Sequence, residues 1–557
     1  MSERAMPLAA AAALALWAPL ALAGVDSTPH DLSVGGGSGS REMCTFCHTP
    51  HLGGGSRGLW SRDETPRVYK LYESSTLRST LGQPTGTSRL CLACHDGTTA
   101  PANPGRLARG AARVARLTGT GSLGTDLSDD HPISFAYDSA LALRQGQLAD
   151  PAALPTGLHL DGARQLQCTT CHDPHEQRYR KFLRLDDRGS ALCSACHRQR
   201  NWPGSSHATS RARWTGGPAA SGSAPPYATV QENGCESCHR PHGAAHPARL
   251  LREGREGAVC MSCHGGTVAS RNLEPEFAKA SAHRIAANEW THDPREDPAT
   301  MPRHVACPDC HDPHQATSAR SAAPLVPGTL RGARGTTLSG GSLTEAASEF
   351  EVCLRCHGIR DATTAGLARL DGVRNIRQRI APNNASYHPV AATVRSGALG
   401  GLEPGYSAAS LLYCTDCHNN DEWTPGAARP RGPHGSRNSP ILERNYETND
   451  PAAESFQSYA LCYKCHNRDH LTHDLAKAFP HRKHVVDAQA PCAACHDAHG
   501  SRQNPRLIDF LLRDRTGKAV VSPSQNQRRT EYLSLGPGRG QCYLTCHGRN
   551  HEPASYP

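Results

Sequence analysis

Two thiols three positions apart, followed at once by an imidazole, can tether one planar macrocycle and ligate its iron. The thiols add to two vinyl groups of the ring, and the histidine then lies beneath the metal. Cys44-Thr-Phe-Cys47-His48 has this order. It recurs at Cys91/Cys94/His95, Cys168/Cys171/His172, Cys193/Cys196/His197, Cys235/Cys238/His239 and Cys260/Cys263/His264. Five more copies follow at Cys307/Cys310/His311, Cys353/Cys356/His357, Cys414/Cys417/His418, Cys462/Cys465/His466 and Cys492/Cys495/His496. A twelfth, Cys542/Cys546/His547, has one more residue between its thiols, and the twelve sites consume all 24 cysteines. The pattern predicts twelve covalently attached haem c groups, with those histidines as proximal iron ligands.

Two other uses of paired cysteines fit less well. A structural zinc takes four ligands, usually from two such pairs, and has no need of a histidine directly after each. A disulfide framework explains an even cysteine count but not twelve flanking imidazoles.

The second axial ligand sets the chemistry. Of the 32 histidines, 20 are not proximal. The motifs fall into six doublets, and each doublet offers one histidine upstream and one downstream. The upstream candidates are His30, His131, His207, His283, His388 and His484; the downstream ones are His51, His175, His242, His314, His434 and His499. In five doublets the downstream histidine lies three residues past the first proximal one, while the fifth doublet has Asp421 there and His434 substitutes. His304 competes with His283, and His481 with His484. The other spare histidines are His159, His246, His292, His470, His473 and His551. Methionine cannot supply the ligands, because of five methionines only Met301 stands clear of the leader and the motifs. Bis-histidine ligation at low potential is therefore expected.

The elements that must position these groups are short. Hydrophobic residues make up 37% of the chain and aromatics 5%, beside 52 Gly and 41 Pro, too little for a self-sufficient core of 557 residues. The rings must be the core. The expected fold is mostly irregular coil with short α-helices wrapped around a chain of covalently bound haems, and little or no β-sheet. Residues 1–23 read as a signal peptide: Arg4, an apolar run from Leu8 to Leu22 broken by Pro19, then Ala21-Leu22-Ala23. Three modules are expected to follow, 24–202 with haems 1–4, 203–380 with haems 5–8 and 381–557 with haems 9–12. Polar joints are expected at Gly35 to Ser40, Gly216 to Pro226 and Ser318 to Ser342. No later stretch is apolar enough to span a bilayer. The formal charge of +9 could suggest nucleic acid. Two propionates per haem outweigh it, and the arginines are suited to pairing with them.

With these residues in place, the chain resembles the multihaem c-type cytochromes with doubled CxxCH motifs. Its opening third carries the resemblance furthest, in His30-Asp-Leu-Ser33, Cys44 to His51, Leu59-Trp60, Cys91 to Gly97, Asp130-His-Pro-Ile133, Cys168 to His175 and Cys193 to His197. That four-haem order is similar to the extracellular tetrahaem cytochromes that polymerise into conductive filaments. The resemblance implies stacked haems passing electrons along a chain, in the periplasm or outside the cell. It implies other redox proteins as partners (cytochromes, quinol-linked or outer-membrane conduit proteins) and self-assembly, without nucleic acid or a membrane anchor. The alternative is a reductase of a nitrogen or sulfur oxyanion with one open iron. No motif ends in lysine, the ligand at the catalytic haem of pentahaem nitrite reductases, and no catalytic residue is assigned.

Overall fold

The computed structural model describes residues 24–33, 43–48, 60, 67–99, 116–215, 224–285, 292–293, 295–302, 304–359, 375–395, 400–426, 428–475, 479–514 and 516–557. The leader, His51 and the expected joint at residues 35–40 lie outside these residues, as does most of the joint at 216–226.

Most of the described chain is irregular, punctuated by helical turns and two-residue ladders. The longer helices end on attachment motifs. Gly86–His95, Ala191–Cys196, Glu256–His264 and Glu349–His357 each carry the second motif of a doublet in their last turns. The last of these starts at a capping box, where the Ser348 backbone N–H donates to Glu351 Oε2 at 3.0 Å. First motifs sit on single turns, such as Cys168–Cys171, Cys307–Cys310 and Cys414–Asp416. Residues three apart on a helical turn are neighbours, so both thiols of a pair face one way.

The described residues form no single apolar core. Small clusters recur along the chain, and most border an attachment cysteine. Leu442, Tyr446, Tyr459, Tyr463, Ala493 and Leu512 pack against Cys462 and Cys492. Phe350, Leu354 and Ile380 pack against Cys414, and Phe135, Tyr137, Leu141, Ala142 and Leu166 against Cys196. Apolar surface is thus collected where a ring would continue it.

Sheet is scarce but has a role. Four ladders have two residues per strand, among them Ser281–Ala282 with Gly435–Ser436 and Ser386–Tyr387 with Gly500–Ser501. The exception is the end of the chain, where Glu531–Ser534, Gly540–Cys546 and Arg549–Tyr556 form a three-stranded antiparallel sheet with the middle segment at its centre. The joint expected at Ser318 to Ser342 is folded in: Gly335–Thr336 pairs with Ser342–Leu343, and Ala333 is buried with Ala346 and Val352. No described helix is long and apolar enough to cross a membrane.

Candidate functional site

Ten proximal imidazoles each face another histidine ring, at centroid separations between 6.1 and 6.4 Å. In the first motif of a doublet, His48 faces His175, His172 faces His242, His239 faces His314, His311 faces His434 and His418 faces His499. In the second motif, His95 faces His30, His197 faces His131, His264 faces His207, His357 faces His283 and His466 faces His388. Two imidazoles bound to one metal at about 2 Å per nitrogen hold their centroids about 6 Å apart. Each pair therefore leaves the space of one iron.

The outer nitrogens fix which nitrogen faces in. Nδ1–H of His95, His172, His239 and His311 donates to the carbonyls of Gly121, Lys181, Arg249 and Thr329, each at 2.8 Å. His418 and His496 donate in the same way to Pro440 and Arg506. With Nδ1 protonated, Nε2 keeps its lone pair for a metal. Burial also keeps the rings neutral, holding His197, His239, His264, His357, His418 and His466 down at about 4. The residues fit haem c at these sites.

The pairing has a rule that spacing alone does not show. An upstream histidine faces the second motif of its own doublet. A downstream histidine faces the first motif of the doublet before it: His242, for example, follows the motif of Cys235 but faces His172. The two caps of one doublet are joined through the backbone. Nδ1–H of His30, His207 and His283 donates to the carbonyls of Pro174, Pro313 and Pro433, the residues just before His175, His314 and His434. His388 donates to Ala498, just before His499. The small ladders next to His283/His434 and His388/His499 clamp these junctions.

Gly435 is needed in such a clamp, because a Cβ there would overlap the Glu276 carbonyl oxygen. Gly435→Ala is expected to displace His434 and His283 together. The irons beside His311 and His357 would become partly high-spin, read by carbon monoxide binding and visible spectra. An unchanged low-spin spectrum would refute the clamp.

Successive motifs are neighbours. No disulfide joins any of the 24 cysteines. The first thiols touch across doublets, Cys91 with Cys168, Cys193 with Cys235, Cys260 with Cys307, Cys353 with Cys414 and Cys462 with Cys492. Within doublets the charge of one second thiol is felt at the other, as between Cys171 and Cys196, Cys238 and Cys263, Cys310 and Cys356, and Cys417 and Cys465. The first doublet differs, because the charges of Cys94 and Cys47 both reach Cys91, a first thiol. Cys94 is half-buried in the last turn of Gly86–His95, and its carbonyl accepts from the Gly97 N–H at 3.1 Å. That places the Cys94 thiol one helical turn past Cys91, as attachment to one ring requires. A cleft lined by Leu71, Leu81, Leu127 and Ile133 has His131, His242 and Cys168 in its wall.

The last doublet departs from the rule. His481 is close enough to His496 to lower its own basicity, after burial, to about 4. His484 faces His551 at 6.4 Å, with its Nδ1–H on Pro480 at 2.9 Å. His547 meets no histidine among the described residues; its Nε2 lies 2.6 Å from Asp450 Oδ1. Cys542 and Cys546 sit in an extended strand with a register shift between Cys542 and Leu544. Four steps of strand span about 13 Å, so this pair does not offer its thiols as a helical turn does. The strand arrangement does not fit one haem.

Among comparisons with known proteins, the family model described as "Doubled CXXCH motif" matches residues 161–201 and 228–269. Each stretch holds one doublet with motifs 25 residues apart, Cys168 with Cys193 and Cys235 with Cys260. No curated protein matches the chain. The chain thus carries the haem-attachment motif of multihaem c-type cytochromes.

Proposed function

We propose that this chain is an exported cytochrome that relays electrons along a continuous row of bis-histidine haems and transforms no substrate of its own. The observation that carries the reading is the unbroken adjacency of motifs, alternating between thiol contacts across doublets and close second thiols within them. Haem c supplies one-electron chemistry when bound. The chain's part is to hold neighbouring sites close and to fill both axial positions. With a histidine on each side of the iron space, a small molecule has no vacant position to occupy. Histidine at both positions, in place of methionine, keeps the potential low.

Spectroelectrochemical titration of the purified protein tests this. Low-spin spectra throughout, negative potentials over a broad range and no response to nitrite, hydroxylamine or carbon monoxide are expected. A high-spin centre that binds and turns over such a ligand would replace the relay with a reductase.

The motifs alone call for twelve haems on a chain beginning near Gly24 and the strand geometry of the last motif for eleven, which intact mass distinguishes. Eleven would single out Cys542 and Cys546.

The resemblance to filament-forming cytochromes extends the proposal to self-assembly, with other redox proteins as partners. Five downstream histidines each cap a doublet other than their own, and His51 is the downstream histidine of the first doublet. Sedimentation of the wild type and His51→Ala over a range of concentrations tests this. Association that His51→Ala weakens is expected, and a wild type that stays monomeric refutes it.

The paired rings also differ in orientation. Their planes lie within 39° of parallel at the five first-motif sites and are at least 44° apart at the five second-motif sites. Parallel imidazoles donate π-density to one iron orbital and crossed ones spread it over two. Electron paramagnetic resonance is expected to resolve two low-spin populations of similar size. A single population would mean that the ring planes reorient around the metal.

A further inference from the structure

Two of the spare histidines form a site of their own. His292 is 3% exposed, and the His304 side chain is 9% exposed. Their rings stand 6.1 Å apart, inclined at 62°. Neither is needed as a haem cap, since His283 already faces His357 and His434 faces His311. Between them lies Glu296. Its Oε2 is 3.2 Å from His292 Nδ1 and 3.1 Å from His304 Nε2, and Asp309 Oδ1 is 3.5 Å from His292 Nδ1.

These separations resemble hydrogen bonds, but the directions do not. His292 Nδ1, His304 Nε2 and Glu296 Oε2 are all buried atoms with no hydrogen-bond partner. Donors bound to one tetrahedral ion at 2.0–2.1 Å stand about 3.3 Å from each other, and the three separations here run from 3.1 to 3.5 Å. His304 is oriented for ligation, because its Nδ1–H donates to the Pro302 carbonyl at 2.9 Å and Nε2 is left as the acceptor. The His292 backbone is pinned as well: its N–H donates to Glu256 Oε2 at 2.9 Å and its carbonyl accepts from Arg249 at 2.6 Å.

We infer that His292, Glu296, His304 and Asp309 form a binding site for one divalent transition-metal ion, separate from the haem irons. Two imidazoles and two carboxylates suit zinc-like ions better than calcium or magnesium, which prefer oxygen alone. Arg355 also holds Asp309 Oδ1, at 2.9 Å, so Asp309 is shared and the other three are the principal ligands. Asp309 lies between the thiols of Cys307 and Cys310 and therefore ties the metal to a haem-attachment turn.

Holoprotein stripped with EDTA and dialysed against zinc in excess calcium should retain one zinc per chain, counted by plasma mass spectrometry against haem iron. Zinc-edge absorption should show a nitrogen and oxygen shell with imidazole scattering. His304→Ala and Glu296→Gln are each expected to weaken retention at least about tenfold, with haem content and low-spin spectra unchanged. His470→Ala should retain the zinc. Absence of tightly held zinc in the wild type, equal retention in His304→Ala and Glu296→Gln, or a sulfur shell at the zinc edge would each overturn the site.

Discussion

His314→Ala is expected to give the protein a carbon-monoxide-binding iron beside His239, converting about one haem in twelve to high spin. The imidazole at 6.3 Å and within 7° of parallel is the only ring facing His239 among the described residues. Alanine cannot replace it. The side chain is 34% exposed, so its loss removes a ligand more than it removes packing. The result identifies which iron His314 serves. Position in sequence would assign it to the haem of Cys307, whereas the ring pairing assigns it to that of Cys235. Repeating the substitution with Cys235→Ala and Cys238→Ala separates the two. If His314 caps the Cys235 haem, no new carbon monoxide binding appears in that background. Binding that persists would reassign the ligand.

The second large effect is on stability. Arg379 is 1% exposed and its guanidinium donates to Asp509 Oδ2 at 2.6 Å. The pair links the helical turn Ile376–Arg379 to the segment that returns from the Cys492 motif, since the Asp509 N–H donates to the Cys495 carbonyl. Burial pushes the Asp509 carboxyl up, and Arg379 opposes this. Arg379→Met leaves a buried carboxylate without its cation and is expected to cost about 3–5 kcal/mol at neutral pH.

The pH dependence has a definite sign. Without Arg379, the folded-state carboxyl rises further above its unfolded value of 3.8. A raised acid contributes stability below the unfolded pKa and loses it as pH rises through the folded one. The defect should therefore shrink toward pH 4 and be largest above neutrality. Thermal melts of Arg379→Met across this range check it, with Arg379→Met/Asp509→Leu expected to recover much of the loss. A defect independent of pH would mean that lost packing, and not the stranded charge, is responsible.

The attachment chemistry was legible because it depends on residue types at fixed short spacing. Every attachment motif from Cys44 to His547 could be named as a candidate, although the strand at Cys542 and Cys546 does not fit a haem, and a coil-rich fold followed from the shortage of apolar residues. The caps were legible as candidates only. That His242 reaches back to His172 depends on which backbone segments lie side by side, and pairs such as Gly435 with Ala282 leave no periodic trace in two residues. A local signal did exist: glycine directly follows His242, His434 and His499, where the chain turns or is closely approached. The terminal sheet escaped because its strands overlap an attachment motif. Reading Cys542 to His547 as haem chemistry hid the alternation of Gly540–Cys546 and the Gly536-Pro-Gly-Arg-Gly540 turn ahead of it. Of the site at His292, only the unassigned histidines were visible. Glu296 looks ordinary until the fold brings His304 to it.

The backward reach of the downstream histidines also sets a timetable. On the proposed export, a chain translocated from its N-terminus would present Cys44 and His48 well before His175 reached the same side of the membrane. The first haem of each of the first five doublets must wait, with one face exposed, until the following doublet has emerged and folded back. The second haem has its cap from the start, because His30, His131, His207, His283 and His388 precede their motifs. Maturation should then advance in steps of one doublet, with the newest first haem always the reactive one. A chain stopped between doublets would end in a haem open to oxygen.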